Sequence, residues 1–241
     1  TRHKTSWVAK YVAEHADESG IVYCATRKET EALAASLNHA VAELRAADGA
    51  DPGQADPIAV AYHGGMSPDV RERAQRDFVT DRVPVAVATN AFGMGIDKSN
   101  VRYVIHHNMP ESIEAYYQEA GRAGRDGEPS RCTLLWNESD IVTRRRLLDS
   151  DYENERLTPD EQEVVRRAKR RLLDAMVGYC RTTDCLHIYM TRYFGENDTV
   201  GGTSDGKCAG GCTNCEHTFE TVDVTETARA ISRCVRANPA I

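Results

Sequence analysis

At 241 residues the chain has room for one full domain and a smaller one. With 41% hydrophobic and 28% charged residues and no apolar run of about 18, the composition excludes a membrane-spanning helix. A formal net charge of −7 excludes a global pull toward nucleic acid, so any such binding requires a local basic surface.

The first residues, TRHKTSWVAKYVAEHADE, read as helical, with no apolar core of a secretory signal and no initiator Met. The expectation is a piece of a longer intracellular protein. "GIVYCAT" (20–26) is a short β-branched and aromatic run, hence a buried strand. It runs into Thr26-Arg27-Lys28-Glu29, a capping box that predicts a helix to about Ala46. The Gly/Pro/Asp stretch 47–57 reads as a loop.

"IAVAYHGG" (58–65) predicts a second strand, and Ser67-Pro68 a cap and first-turn proline for a helix to Phe78. "VPVAVAT" (83–89) and "VRYVIHH" (101–107) predict the next two strands. Ser112 caps a further helix, and "RCTLLW" (131–136) is a fifth strand. Apolar runs alternating with helices predict an α/β fold, a parallel sheet with helices on both faces. After about residue 138 the pattern turns helical, with a second capping box at Thr158-Pro159-Asp160-Glu161 opening a helix to Cys180. "VTETARAISRCVRANP" reads as one more short helix.

In such sheets ligands bind beyond the carboxyl ends of the strands. The residues to examine are therefore Thr26 and Arg27, His63 to Gly65, Thr89 to Asp97, and His107 with Asn108. In "ATNAFGMGIDKSNVRYVIHH" (88–107), Thr89 and Asn90 offer hydrogen bonds at a strand end, although a plain polar crossover loop reads equally well. In "YQEAGRAGRDGEP" (117–129), Gln118, Arg122 and Arg125 stand at i, i+4 and i+7, one face of a helix if it persists. Gly121 and Gly124 would admit a close phosphate or backbone, and the planar fork of arginine suits a γ-phosphoryl group. The bland alternative is a solvated arginine pair.

"YQEAGRAGRDG" resembles the last motif of superfamily-two helicases, and "ATNAFGMGIDKSNVRYVIHHNMP" the motif before it. With "GIVYCATRKETEALAASL" and "AYHGGM" they resemble, in order and spacing, the RecQ family of DNA helicases over about residues 20–217. The resemblance implies a RecA-like domain, the second of two motor domains, in an ATP-dependent 3′-to-5′ DNA helicase of repair and recombination. It implies that Arg125 is the arginine finger, Arg122 a γ-phosphate contact and Gln118 their orienter. Asp97 and Gly95 would couple the motif loop to the nucleotide. Thr26, Arg27, His63, Gly64, Thr89 and Asn90 would follow the phosphates of the DNA single strand.

The cysteines give a separate signal. Cys208, Cys212 and Cys215 form C-x3-C-x2-C in "KCAGGCTNCEH", a spacing for a closed tetrahedral zinc site. By the family pattern the fourth ligand is Cys185, with Cys180, His187 and His217 as the other candidates. The extra residue after Cys208 departs from the usual C-x2-C-x2-C of the family. "GGTSDGK" (201–207) imitates a phosphate-binding loop, but Cys208 follows in place of Ser or Thr, and neither strand nor helix flanks it. It reads as a loop leading to the cysteines. The basic run Arg166, Arg167, Lys169, Arg170, Arg171 and the run Arg144–Arg146 read first as solvated faces, with a duplex-phosphate role as the sharper alternative. Cys24, Cys132 and Cys234 read as plain packing residues, and His3, His15, His39 and His106 as surface or core residues.

The resulting expectation is a RecA-like domain over 1–138, a mainly helical zinc-binding subdomain over 139–217 and the start of a winged-helix domain over 218–241. By the resemblance, ATP and Mg2+ are bound mainly by a motor domain upstream of Thr1, and this piece alone is inactive. The expected partners are DNA as single strand and duplex junction and that upstream domain, with no membrane; a single-strand-binding protein is admitted as another. The location is the bacterial cytoplasm and nucleoid, or the nucleus in a eukaryote. Two other classes stay open: a non-catalytic zinc module that binds DNA or protein, and half of an RNA helicase.

Overall fold

The computed structural model describes residues 2–47, 56–92, 97–150, 157–196, 207–208, 211–216 and 224–237. The chain divides into two compact units, Thr1–Cys180 and Arg181–Ile241. In the first, the elements are α1 (Arg2–Glu14), β1 (Ser19–Tyr23), α2 (Arg27–Ala47), β2 (Ala59–Tyr62), α3 (Pro68–Val79), β3 (Val85–Ala88), β4 (Val101–His106), α4 (Ile113–Ala120), β5 (Arg131–Leu134) and α5 (Glu138–Ser150), with α6 (Pro159–Arg181) at its end. The second unit has α7 (Leu186–Tyr193), α8 (Thr213–Glu216) and α9 (Thr225–Ala237). The expected α/β class, with helical structure following the sheet, is what the structure has. No helix among the described residues is long and apolar enough to cross a membrane.

The strands form one parallel sheet in the order β2-β3-β1-β4-β5. Side chains alternate across it. Val22, Cys24, Val85, Val87, Tyr103 and Ile105 meet α1 and α2 through Val8, Val12, Leu33 and Leu37. Ile21, Tyr23, Ala86, Ala88 and Val104 face the other way, onto Phe78 of α3 and Phe92. Because a parallel crossover is right-handed, the step from β1 out to β2 puts α2 on one face. The return steps toward β5 put α3 and α4 on the other. The central strand β1 is buried along its whole length. Its Gly20 is required: a Cβ there would stand 1.9 Å from the Tyr103 ring, and the β1–β4 register shifts at that point.

The local stop and start signals act as the sequence implies. The backbone N–H of Glu29 donates to Thr26 Oγ1 at 3.2 Å, and Thr26 Oγ1 to Glu29 Oε2 at 3.1 Å. Thr158 and Glu161 form the same kind of box, and Ser112 Oγ accepts from the N–H of Ala115 at 3.1 Å. Ser67 differs. It holds the N-cap position before Pro68 but makes no side-chain cap hydrogen bond; its carbonyl instead accepts from Arg71 N at 3.0 Å. Of the basic runs, Arg166 and Arg167 both pair with Glu163, and Arg170 with Asp149, so that face is partly neutralised. Arg144 turns inward and donates to the carbonyl of Met109 at 2.7 Å. Cys24 is a core residue as expected, but Cys132, on an edge strand, and Cys234 are exposed, against the packing reading of both.

Candidate functional site

The strand order sets the first part of the site. Since β3 lies between β2 and β1, the carboxyl ends of these three strands are adjacent. They bring Thr26 and Arg27, His63 and Gly64, and Thr89 and Asn90 to one edge of the sheet. The loops after β1 and β2 meet there: an Arg27 guanidinium nitrogen lies 2.7 Å from where a Cβ at Gly65 would be, so the glycine makes room for the arginine. The same edge carries the N-termini of α2 and α3, whose backbone N–H groups and dipoles suit phosphate oxygens.

Individual side chains are differently engaged. Arg27, Gly64 and Asn90 are exposed. Thr26 is used as the α2 cap. Thr89 is buried, its N–H bound to the Tyr62 carbonyl at 3.1 Å. His63 is 5% exposed and both its ring nitrogens are engaged. Nδ1 accepts from Gly65 N at 3.2 Å, which puts the proton on Nε2, facing Glu31 Oε1 at 2.9 Å. His63 thus shapes the Gly64-Gly65 turn. Asp97 is exposed, and Gly95 lies outside the described residues.

The arginine motif departs from the helical reading. Helix α4 stops at Ala120 with Gly121 as its C-cap, so Gln118, exposed on the helix, does not share a continuous helical face with Arg122 and Arg125. The chain turns because Gly124 takes φ +64° and gives its N–H to the Val101 carbonyl at 2.9 Å. A side chain at Gly124 would also meet Ser130 Oγ at 2.6 Å. Arg102 on β4 locks the turn. It grips both carboxylate oxygens of Asp126, at 2.6 and 2.5 Å, and the Pro129 carbonyl at 3.2 Å. The hydrogen bond from Arg102 holds the Asp126 carboxyl below its ordinary range. Arg125 is exposed, while Arg122 is half-buried and its Nε is buried without a partner.

Behind this turn lies a buried polar cluster. His106, 1% exposed, sets Nε2 2.8 Å from Glu119 Oε2, and its ring stacks on Tyr23. His106 is thus a core residue, as its sequence context allows, and one that also holds a buried hydrogen bond. Tyr23, His106, Asn108, Glu111, Glu119 and Arg144 line a polar cleft beyond β1 and β4. Burial lowers the Arg144 and His107 pKa values. At the ends of β4 and β5, Lys4 Nζ donates to the carbonyls of His107 (3.1 Å) and Leu135 (2.8 Å) and to Asp140 Oδ2 (2.6 Å).

In the second unit, the sulphurs of Cys185, Cys208, Cys212 and Cys215 all lie within 4.8 Å of one another. Cys185 sits at the N-cap of α7, and Cys212 directly precedes α8, which carries Cys215. Zinc bound tetrahedrally at about 2.3 Å would separate its sulphur ligands by roughly 3.8 Å, so this donor set fits the ion after a small contraction. The turn into it uses Gly211 at φ +79°. The N–H of Leu186 donates to Cys212 Sγ at 3.2 Å, and Asn214 Nδ2 to the carbonyls of Thr182 and Asp184, both at 2.8 Å. Such outer contacts orient thiolates. Of the other ligand candidates, His187 is exposed on α7 and Cys180 is half-buried in the first unit. His217 and residues 201–206 of the imitation phosphate loop lie outside the described residues.

Sequence reasoning missed Arg102, the His106–Glu119 pair, Lys4 with Asp140, and Asn214. Only a partner far along the chain gives each of them meaning: Arg102 is 24 residues from Asp126, and Lys4 is 136 from Asp140.

Comparison with known proteins agrees with this geometry. Residues 3–127 match the helicase conserved C-terminal domain, and residues 138–216 the RecQ zinc-binding family. The ATP-dependent DNA helicase RecQ of Bacillus subtilis is 39% identical over 233 residues, which are 97% of this chain and 34% of that protein. The RecQ-like DNA helicase BLM of Xenopus laevis is 35% identical over 236 residues, 96% of this chain and 16% of that protein. The chain thus spans about a third or less of the length of these relatives. Among solved structures, the Mycobacterium smegmatis helicase Lhr bound to ssDNA and AMP-PNP aligns with a TM-score of 0.47 and 28% identity, over 60% of this chain and 18% of that one. With its helicase domain match, its RecQ zinc-binding match and a four-cysteine cluster inside the latter, the chain belongs to the RecQ family of helicases.

Proposed function

We propose that this chain is the C-terminal motor half and zinc-binding region of an ATP-dependent 3′-to-5′ DNA helicase acting in DNA repair and recombination. The observation that carries the reading is the strand order β2-β3-β1, which gathers Thr26, Arg27, Gly64, Thr89 and Asn90 with two helix N-termini at one edge. That edge offers a single strand backbone hydrogen-bond donors and one exposed guanidinium, the contacts that hold phosphates without reading bases. Arg122 and Arg125 stand in a separate turn braced by Arg102, where a fork can be aimed at a second domain. ATP with Mg2+, held mainly by an upstream motor domain, supplies the phosphoryl group. Arg125 stabilises charge developing on it, Arg122 holds a γ-oxygen, and Asp97 with Gly95 ties the strand loop to the nucleotide side.

Zinc is structural in this reading: four thiolates close its coordination shell, so no position is left for a substrate. The partition is 1–138 for the motor domain, 139–217 for the zinc-binding region and 218–241 for the start of a winged helix. Compactness supports a different cut, with α5 and most of α6 in the first unit. The protein works in the nucleoid-containing cytoplasm of a bacterium or in a eukaryotic nucleus, on single strands and duplex junctions.

The test is DNA-stimulated ATP turnover of the parent protein with its upstream domain, comparing wild type with Arg125→Ala. A fall of roughly 10³ or more with DNA binding retained supports the finger role, the scale known for such arginines. Turnover near wild type removes the catalytic role of this half.

A further inference from the structure

Arg125 belongs to the connection between α4 and β5, residues 121–130, which is long for such a unit. It is nevertheless fixed to the start of β4 on both sides of the arginine. Gly124, just before Arg125, gives its N–H to the Val101 carbonyl at 2.9 Å. Asp126, just after it, has both carboxylate oxygens on Arg102 Nη2, at 2.6 and 2.5 Å. Arg102 Nη1 holds the Pro129 carbonyl at 3.2 Å. The strand β4 is itself hydrogen-bonded to a neighbour on each side, β1 and β5, so these partners are anchored in the sheet.

The two attachments differ in kind. The Gly124 bond runs from backbone to backbone and does not depend on the side chain at 102. By itself it would leave the turn hinged at its near end. The far end is set by the guanidinium, whose planar fork can hold two groups at once. Here these are a carboxylate and a carbonyl three residues apart, and together they fix the direction in which the chain leaves Arg125. Within the turn, Asp126 Oδ1 also accepts from Glu128 N at 3.1 Å, and Gly127 N donates to the Gly124 carbonyl at 2.9 Å. The Arg102 side chain is 19% exposed and its Nε points to the Asn100 carbonyl at 3.4 Å. Arg102 is thus spent on the protein, while Arg125 is exposed. A displacement of about 1 Å at a catalytic group is enough to cost about 10²-fold in rate.

We propose that Arg102 is a positioning residue for nucleotide turnover: through Asp126 and Pro129 it sets the approach of Arg125 to the phosphoryl group. The inference rests on the reading above, in which Arg125 is the finger.

The test uses the parent protein with its upstream domain, as wild type, Arg102→Met, Asp126→Ala, Arg125→Ala and the double variant Arg102→Met/Arg125→Ala. DNA-stimulated kcat and KM for ATP are measured, with DNA affinity by fluorescence anisotropy and folding by thermal melting. Turnover is expected to fall about 10²-fold in Arg102→Met and in Asp126→Ala alike. KM and DNA affinity are expected to hold, and the melting midpoint to stay within about 4 °C, because the pair is partly exposed. Asp126→Ala leaves Arg102 in the sheet and carries the test if Arg102→Met does not fold. In the double variant kcat should lie within about threefold of Arg125→Ala alone, since the clamp acts only through that arginine. A fall under about threefold in either clamp variant that folds overturns the proposal. So does a double variant in which the two losses multiply, the result that a purely structural Arg102 would give. Arg125→Ala separates the two levels. If it falls roughly 10³-fold while the clamp variants do not, the positioning role alone is wrong; if it keeps full turnover, the finger reading is wrong and the positioning role goes with it.

Discussion

Replacing Lys4 by Met should unsettle the carboxyl ends of β4 and β5 together. The ammonium of Lys4 has three partners: the carbonyls of His107 and Leu135 and the carboxylate of Asp140, at 3.1, 2.8 and 2.6 Å. The two side chains are 11% and 9% exposed, so water cannot take over the role. Removing one partner of a buried pair costs about 3–5 kcal/mol, because a charge stays behind. Here Asp140 Oδ2 keeps weaker donors, the N–H groups of Asn137 at 3.1 Å and Met109 at 3.4 Å. That argues for the lower end, about 3 kcal/mol. For a domain of this size each kcal/mol moves the melting midpoint by about 2–4 °C, so the fall should be roughly 6–12 °C. Thermal melting and urea unfolding by circular dichroism measure it. In the double variant Lys4→Met/Asp140→Asn, which strands no charge, about half of the loss or more should return. A shift under about 2 °C for Lys4→Met, or no recovery in the double variant, would refute the reasoning.

Two further outcomes follow from other parts of the structure. Cys212→Ser, or prolonged chelation, should take the zinc content from one equivalent toward none and melt the Cys185–Glu216 region, read by metal analysis and by protease cutting; full zinc retention in the variant would remove the four-thiolate site. Asp81 takes its lowered pKa first from the hydrogen bond of Lys98, which is 2% exposed and donates at 2.5 Å. A depressed carboxyl adds stability above its unfolded pKa and loses it as pH falls through the folded value. The gap between wild type and Asp81→Asn should therefore be full at neutral pH and close below about pH 4. A gap independent of pH would refute the ion pair as its source.

What could be read from residues in a row was whatever depends on neighbours in a row. The capping boxes at Thr26–Glu29 and Thr158–Glu161 and the Ser112 cap act over three residues, and they bound helices where expected. The strands came from runs of β-branched residues, and the C-x3-C-x2-C spacing brought three thiols together because a short loop can hardly separate them. The end of α4 shows the limit. Gln118, Arg122 and Arg125 have helical spacing, yet the helix stops at Ala120, because Gly124 is bonded to Val101 and Asp126 is clamped by Arg102. Both partners belong to β4, some twenty residues earlier, and local propensity does not carry that information. The same holds for His63, whose two ring nitrogens are claimed by Gly65 and Glu31, and for Tyr23, a core aromatic by its sequence whose hydroxyl reaches the Phe92 carbonyl 69 residues away. Elements, thiol spacing and family are thus legible along the chain. Which side chains are spent on holding the site and which face a ligand is not, since a hydrogen bond between distant residues exists only once the sheet has ordered its strands.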